Sequence, residues 1–154
     1  MPMNEIGHID AADRKLLAAL AQRGNLTNHQ LAERIGLSES QCYRRRLRLE
    51  QAGAIQGYRA IVDAKALGLF VGAYVHLSMV SQSTHQRKEF AAHLKSHPNV
   101  VSCHAVTGDA DYILRVRTAD LTELNDFVLA LLAHGKDRLH VRSLVVLETI
   151  KDCV

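Results

Sequence analysis

The sequence is short of the features that announce a membrane protein, a secreted scaffold or a common enzyme. It holds no run of about 18 apolar residues, so no spanning helix is expected. The opening MPMNEIGHID has neither the basic region nor the apolar core of a secretory signal. Only three cysteines occur, Cys42, Cys103 and Cys153, far apart and without CxxC spacing. A disulfide framework or a zinc site is therefore not expected. No P-loop, nucleophile elbow, dinucleotide fingerprint or HExxH signature appears, and the nine histidines are not read as metal ligands. A cytoplasmic, non-enzymatic chain with no cofactor is the expectation.

What is present is a lopsided charge. The net charge is +3. Residues 1–60 carry nine Lys/Arg against six Asp/Glu, whereas the remainder carries ten of each. The whole excess lies in the first 60 residues, much of it in "CYRRRLRLEQ" (42–51). A local basic cluster on an otherwise neutral chain points to an anionic partner.

The first segment reads as three helices. Asp10 can cap a helix whose apolar stripe is Leu16, Leu17 and Leu20. Thr27 with Gln30 forms a capping box, flanked by Leu26 and Leu31 as a hydrophobic staple. Ser38 with Gln41 repeats the device after Gly36, with Leu37 facing Cys42. Two start signals that close leave room for a short helix and a tight turn, the grammar of a helix-turn-helix. Gly53 ends the second helix, and "AIQGYRAIVD" turns β-prone.

Beyond it the period changes. Residues 71–80 alternate, with Val71, Ala73, Val75, Leu77 and Met79 on one face. Residues 84–97 read as a helix burying Phe90 and Leu94. "VVSCHAV" and "DYILRVR" are strands joined by "TGDA". Residues 121–134 give a helix with the stripe Leu121, Leu124, Val128, Leu131 and Leu132, and 139–150 a last strand. The order βαββαβ is ferredoxin-like. The fold class is thus α+β: a winged-type helix-turn-helix domain over 1–54, a linker strand over 55–68, and a ferredoxin-like domain over 69–154. The sheet face away from the helices would carry Tyr74, His76, His104, Arg115 and Arg142 beside Val80, Val106, Val146 and Ile150, a mixed surface that a second copy of the chain can cover.

On a helical wheel Cys42 and Leu49 point inward, while Ser40, Arg44, Arg48 and Gln51 point outward. A solvated face is the plain alternative. Against it, the arginines have few acidic neighbours four residues on; only Arg46 has one, Glu50. Arginine's planar fork suits phosphates and guanine edges. Ser40, Gln41 and Arg44 are the candidates for base edges, Arg45 and Arg48 for phosphates, with Thr27 and Ser38 at the helix starts. Arg46 falls near the inward side, its stem packed and its head at the rim. In "TGDADY", Asp109 and Asp111 can accept from an ammonium group, and Gly108 with the loop amides can receive a carboxylate. A simple hairpin turn remains the alternative there.

"IDAADRKLLAALAQRGNLTNHQLAERIGLS…RLEQAGAIQGY", followed by "HAVTGDADYILRV", resembles the Lrp/AsnC family of feast/famine regulators over about Ile9 to Lys151. The resemblance implies a DNA-reading helix-turn-helix with a dimerising, ACT-like effector domain. It implies binding of double-stranded DNA, assembly of dimers into larger oligomers such as octamers, and an amino-acid effector near the GDxDY loop, here His104, Thr107, Gly108, Asp109, Asp111 and Tyr112. It places Arg45 at a recurrent helix arginine, and the protein in the cytoplasm with the nucleoid. Three departures stand out. Arg46 replaces a usually aliphatic residue, Val141-Arg142-Ser143 replaces a Thr-x-Thr pattern, and the loop "HGKDR" is about two residues longer. The alternatives are an effector-independent nucleoid organiser and, in another class, an enzyme resembling siroheme decarboxylases.

Overall fold

The computed structural model describes residues 8–80, 83–135 and 138–151. They fall into two compact units, the first ending at Ala60 and the second starting at Ile61.

The first unit is three helices, α1 (Ala11–Gln22), α2 (Asn28–Ile35) and α3 (Glu39–Gln51). Each starts at a reciprocal cap in which the side chain at the cap accepts an amide three residues on, and that residue's side chain accepts the cap's own amide. The pairs are Asp10 with Asp13, Thr27 with Gln30, and Ser38 with Gln41. Such boxes satisfy amide donors that a helix start leaves orphaned. Gly36 ends α2 at φ +72°, a left-handed conformation that lets α3 begin within three residues. Leu16, Leu20, Leu26, Leu31, Cys42 and Leu49 make one core. Burial pushes the Cys42 thiol up from its ordinary value.

The linker strand expected over 55–68 is not a strand. The regular structure there is a single 3-10 turn, Ala64–Leu67. β-prone residues pair only where a neighbouring strand takes their amides and carbonyls, and among the described residues none does so.

The second unit holds β1 (Val71–Met79), α4 (Thr84–Ser96), β2 (Val100–Ala105), β3 (Tyr112–Thr118), α5 (Leu121–Gly135) and β4 (Leu139–Val145). The sheet order is β2-β3-β1-β4, antiparallel throughout, as the βαββαβ pattern requires. Ala73, Val75, Leu77, Met79, Leu114 and Val116 face Phe90, Leu94, Leu124, Phe127 and Leu131 in one core. Truncating any of these large side chains to alanine removes roughly 2–5 kcal/mol.

Two expectations need correction. The α5 stripe is turned: Leu121 is 60% exposed and Leu132 39%, while Phe127 is 4% exposed. The aromatic ring buries more apolar surface than either leucine, so the helix rotates toward it. The last strand stops at Val145, not 150: its pairing with β1 ends at Ala73 opposite Val145, and the Val146 amide makes a closing bond to the Gly72 carbonyl. And the α5–β4 turn depends on Gly135, where a Cβ would sit 2.5 Å from the Leu139 Cβ. Of the longer loop "HGKDR", Lys136 and Asp137 lie outside the described residues, as does Cys153.

His93 on α4 and His97 at its C-terminal cap meet α5 through ring contacts. His93 lies 4.4 Å from the His134 ring and nearly parallel to it, and His97 stands edge-on to Phe127. Burial, then the neighbouring His134 and His97, depress the His93 value. The unfolded chain therefore takes up a proton at His93 before the folded chain does. Stability from this packing is complete above the ordinary histidine value of 6.5 and declines as pH falls through it. The thermal midpoint of the second unit should fall between about pH 8 and about pH 5.5, and the His93→Gln variant should show a shallower fall.

Candidate functional site

The basic helix is not the unneutralised surface that its sequence neighbours suggest. Arg45 Nη1 donates to Asp10 Oδ2 at 2.7 Å and to Asp13 Oδ1 at 2.8 Å. Arg48 donates to Asp13 Oδ2 and, at 3.4 Å, to the His8 carbonyl. The acids come from the start of α1, more than 30 residues away in sequence. Both pairs are spaced three apart, Asp10 with Asp13 and Arg45 with Arg48, so one helix turn of acids faces one turn of cations. Asp13 is wholly buried. Burial pushes its carboxyl up, but the bonds from Arg48, Arg45 and the Asp10 amide outweigh this and hold it far below the carboxylate range. The Asp10 carboxyl is lowered by the Asp13 amide first and by Arg45 second. Arg45 is raised by Asp10 and then by Asp13.

Arg46 has a different task. Its Nε donates to the Tyr58 hydroxyl at 2.8 Å and to Glu50 at 3.3 Å, its Nη1 donates to the Leu26 carbonyl at 3.1 Å, and its guanidinium lies 4.6 Å from the Tyr58 ring centroid. The Tyr58 hydroxyl donates in turn to Glu50 at 2.7 Å. The start of α2, the end of α3 and the chain beyond it meet on one guanidinium.

The remaining expected nucleic-acid contacts divide by what they already hold. Thr27 and Ser38 use their hydroxyls in the caps, and Gln41 uses its carbonyl oxygen on the Ser38 amide. Gln41 thus keeps its NH2 donors free, while its oxygen holds the Ser38 amide on one of its two lone pairs. Ser40 lies within 3.1 Å of the Ser38 hydroxyl. Arg44 is exposed and has no hydrogen bond or ion pair among the described residues. With Asp10, Gln41, Arg45 and Arg48 it lines an open cleft of 380 Å³. Tyr43, 56% exposed on the flank of the same helix, was not among the expected contacts.

The loop of the second unit also sorts its residues. Asp111, expected as a ligand acceptor, is occupied: Oδ2 accepts the Met79 amide at 2.6 Å and Oδ1 accepts from Arg87 at 2.9 Å. It fastens the β2–β3 loop to the end of β1 and to α4. Tyr112 turns toward the core, its ring centroid 6.3 Å from that of Phe90. His104 sits on the opposite sheet face, in a cross-strand row with Ile113, His76 and Arg142. Thr107, Gly108 and Asp109 are exposed, Gly108 at φ +110°. The Asp109 carbonyl accepts from the Ser78 hydroxyl at 2.5 Å, while its carboxylate has no partner among the described residues. The six residues therefore form no single cluster; Thr107, Gly108 and Asp109 stay together at the sheet's end.

Residues 9–56 match the family described as winged helix-turn-helix DNA-binding, and residues 72–153 the Lrp/AsnC ligand binding domain. The chain is 38% identical to the leucine-responsive regulatory protein of Rhizobium meliloti over 94% of this chain and 92% of that one. It is similar to a transcriptional regulator from Neisseria meningitidis solved as a complex with L-methionine, with TM-score 0.88, 36% identity, and 95% and 94% of the two chains covered. A feast or famine regulatory protein of M. tuberculosis, complexed with L-methionine, gives TM-score 0.84 and 32% identity over 94% of this chain and 96% of that one.

Proposed function

This chain belongs to the Lrp/AsnC family of DNA-binding transcriptional regulators, not to a family of enzymes, and on that premise we propose how it reads DNA and what it responds to. Residues 1–54 read double-stranded DNA, residues 55–68 connect, and residues 69–154 assemble the protein and take the effector. α3 enters the major groove. Arg44 contacts a base edge, with Ser40 and the Gln41 amide beside it. Arg45 and Arg48 lie against phosphates while remaining anchored on Asp13, and Thr27 and Ser38 bring two helix starts to the backbone. The single observation that carries this reading is Arg44: an exposed arginine without a partner among the described residues, in a cleft of held arginines on the second helix of a helix-turn-helix.

Two copies pair through the outer sheet face, where Tyr74, Leu144 and Val101 are exposed, and dimers assemble further, up to an octamer. The pair presents two reading helices to successive turns of a pseudo-palindrome, in the cytoplasm on the nucleoid. A free amino acid binds at the loop of Thr107, Gly108 and Asp109, with Asp111 holding the loop in shape. The Asp109 carboxylate takes the ammonium group. The bound amino acid shifts the balance between assemblies of different DNA affinity.

Calorimetry with each of the twenty amino acids tests this. One of them, or a small related set, is expected to bind, and Asp109→Asn should weaken it about tenfold or more, the worth of one charge-assisted hydrogen bond. Binding of none, with DNA binding intact, would leave an effector-independent nucleoid organiser instead.

A further inference from the structure

The arginine clamp contains one more carboxylate than its buried charge requires. Asp13 is the wholly buried acid, and two guanidinium groups, from Arg45 and Arg48, already face it. Asp10 adds a second carboxylate on Arg45 at 2.7 Å, in the open: the two side chains are 40% and 29% exposed, at the rim of the cleft that Arg44 also lines. Its capping work uses the other oxygen, Oδ1, on the Asp13 amide at 2.8 Å. Capping and charge are therefore separable at this residue.

Resting on the reading of α3 as the DNA-contacting helix, we propose that Asp10 is a specificity-determining residue: its exposed carboxylate competes with DNA phosphate for Arg45. Non-specific binding draws nearly all its strength from phosphate neutralisation. A backbone held loosely, across water, cannot displace a carboxylate already at hydrogen-bond distance from Arg45. A phosphate brought to the same range by a fully seated helix can. Arg45 therefore adds to the grip chiefly when α3 is seated at its own site. Asp10 suppresses the indiscriminate part of the affinity more than the sequence-specific part.

The test is Asp10→Asn in the full-length protein. Asparagine caps helices as well as aspartate does, so the Asp13 amide keeps its acceptor while the charge facing Arg45 is removed. Should asparagine disturb the fold, Asp10→Ser offers the same cap and the same loss of charge. An unchanged melting transition establishes that the fold is kept. Binding to random-sequence duplex is then expected to tighten several-fold, and its salt dependence, log K against log salt, to steepen by about 0.9, the value of one added phosphate contact on B-DNA. Binding to the selected site should change less, so the specificity ratio falls. Unchanged affinity and slope on random DNA would overturn the proposal. So would a loss of affinity on both DNAs, because Asp10 would then position Arg45 rather than compete for it. Arg44→Ala, measured alongside, separates the two levels: if it leaves all DNA binding unaltered, the reading of α3 itself has failed, whatever Asp10→Asn does.

Discussion

Arg44→Ala should lower affinity for the selected site by about 5- to 150-fold, the roughly 1–3 kcal/mol that one bidentate arginine–guanine contact is worth. It should leave binding to random duplex reduced far less. Arg44 is the one arginine of "YRRRLR" with neither ion pair nor hydrogen bond among the described residues. Its removal therefore strands no acid and opens no cavity, and the melting transition should stay within about 0.5 kcal/mol of the parent's stability. Competition anisotropy with specific and random duplexes over a salt series measures both quantities. Equal losses on the two DNAs would make Arg44 a phosphate contact. No loss on either would remove it from the interface and take the reading of α3 with it.

Asp13→Ala should cost about 3 kcal/mol of stability in the helical unit. The substitution removes the one buried acid that Arg45 and Arg48 share, and the acceptor of the Asp10 amide. The two arginine heads are themselves 29% and 50% exposed, so water takes part of their charge and the loss lies at the low end for broken buried pairs. For a unit of this size that is a fall in melting midpoint of more than about 10 °C. DNA affinity should fall with it, because α3 loses its anchor on α1. The acid limb supplies an independent check. The Asp13 carboxyl is depressed in the folded state, so its contribution is complete above the ordinary value of 3.8 and is lost as pH falls below it toward the depressed one. The parent protein should therefore destabilise steeply below about pH 4, and Asp13→Ala should lack most of that slope. Chemical denaturation between about pH 7 and about pH 3 measures it.

What could be read in the residues and what could not divides by distance along the chain. The boxes of Thr27 with Gln30 and Ser38 with Gln41 span three residues each, so spacing alone announces them, and the structure forms both. The alternation of Val71, Ala73, Val75, Leu77 and Met79 likewise reports which face is buried. Arg45 and Asp13 lie 32 residues apart, and Arg87 and Asp111 24. Nothing in the local pattern pairs them, so arginines that look unneutralised turn out held, and an aspartate that looks free turns out occupied. The signal that could have been used was the matching spacing of three within each partner set. On α5, Leu121 and Leu132 fit the helical period as well as Phe127 does, and only packing decides among them. His93 and His97 stand four residues apart; His93 stacks on His134 and His97 stands edge-on to Phe127, and among the described residues no group of three His, Cys, Asp or Glu side chains is placed to hold a metal. Over 55–68 the β-prone composition favours a strand but is silent about whether a neighbour exists to pair with it.

The guanidinium of Arg46 also decides where the helical unit can be cut. Helical periodicity ends near Gly53, and a fragment trimmed to the last helix would stop there. Such a fragment would lack the Tyr58 hydroxyl and ring, leaving Arg46 with only Glu50 and the Leu26 carbonyl. The phenol is tied to the three-helix body by hydrogen bonds to Arg46 and Glu50, although it stands seven residues past the end of α3. An excised reader that keeps its native surface must carry that tail.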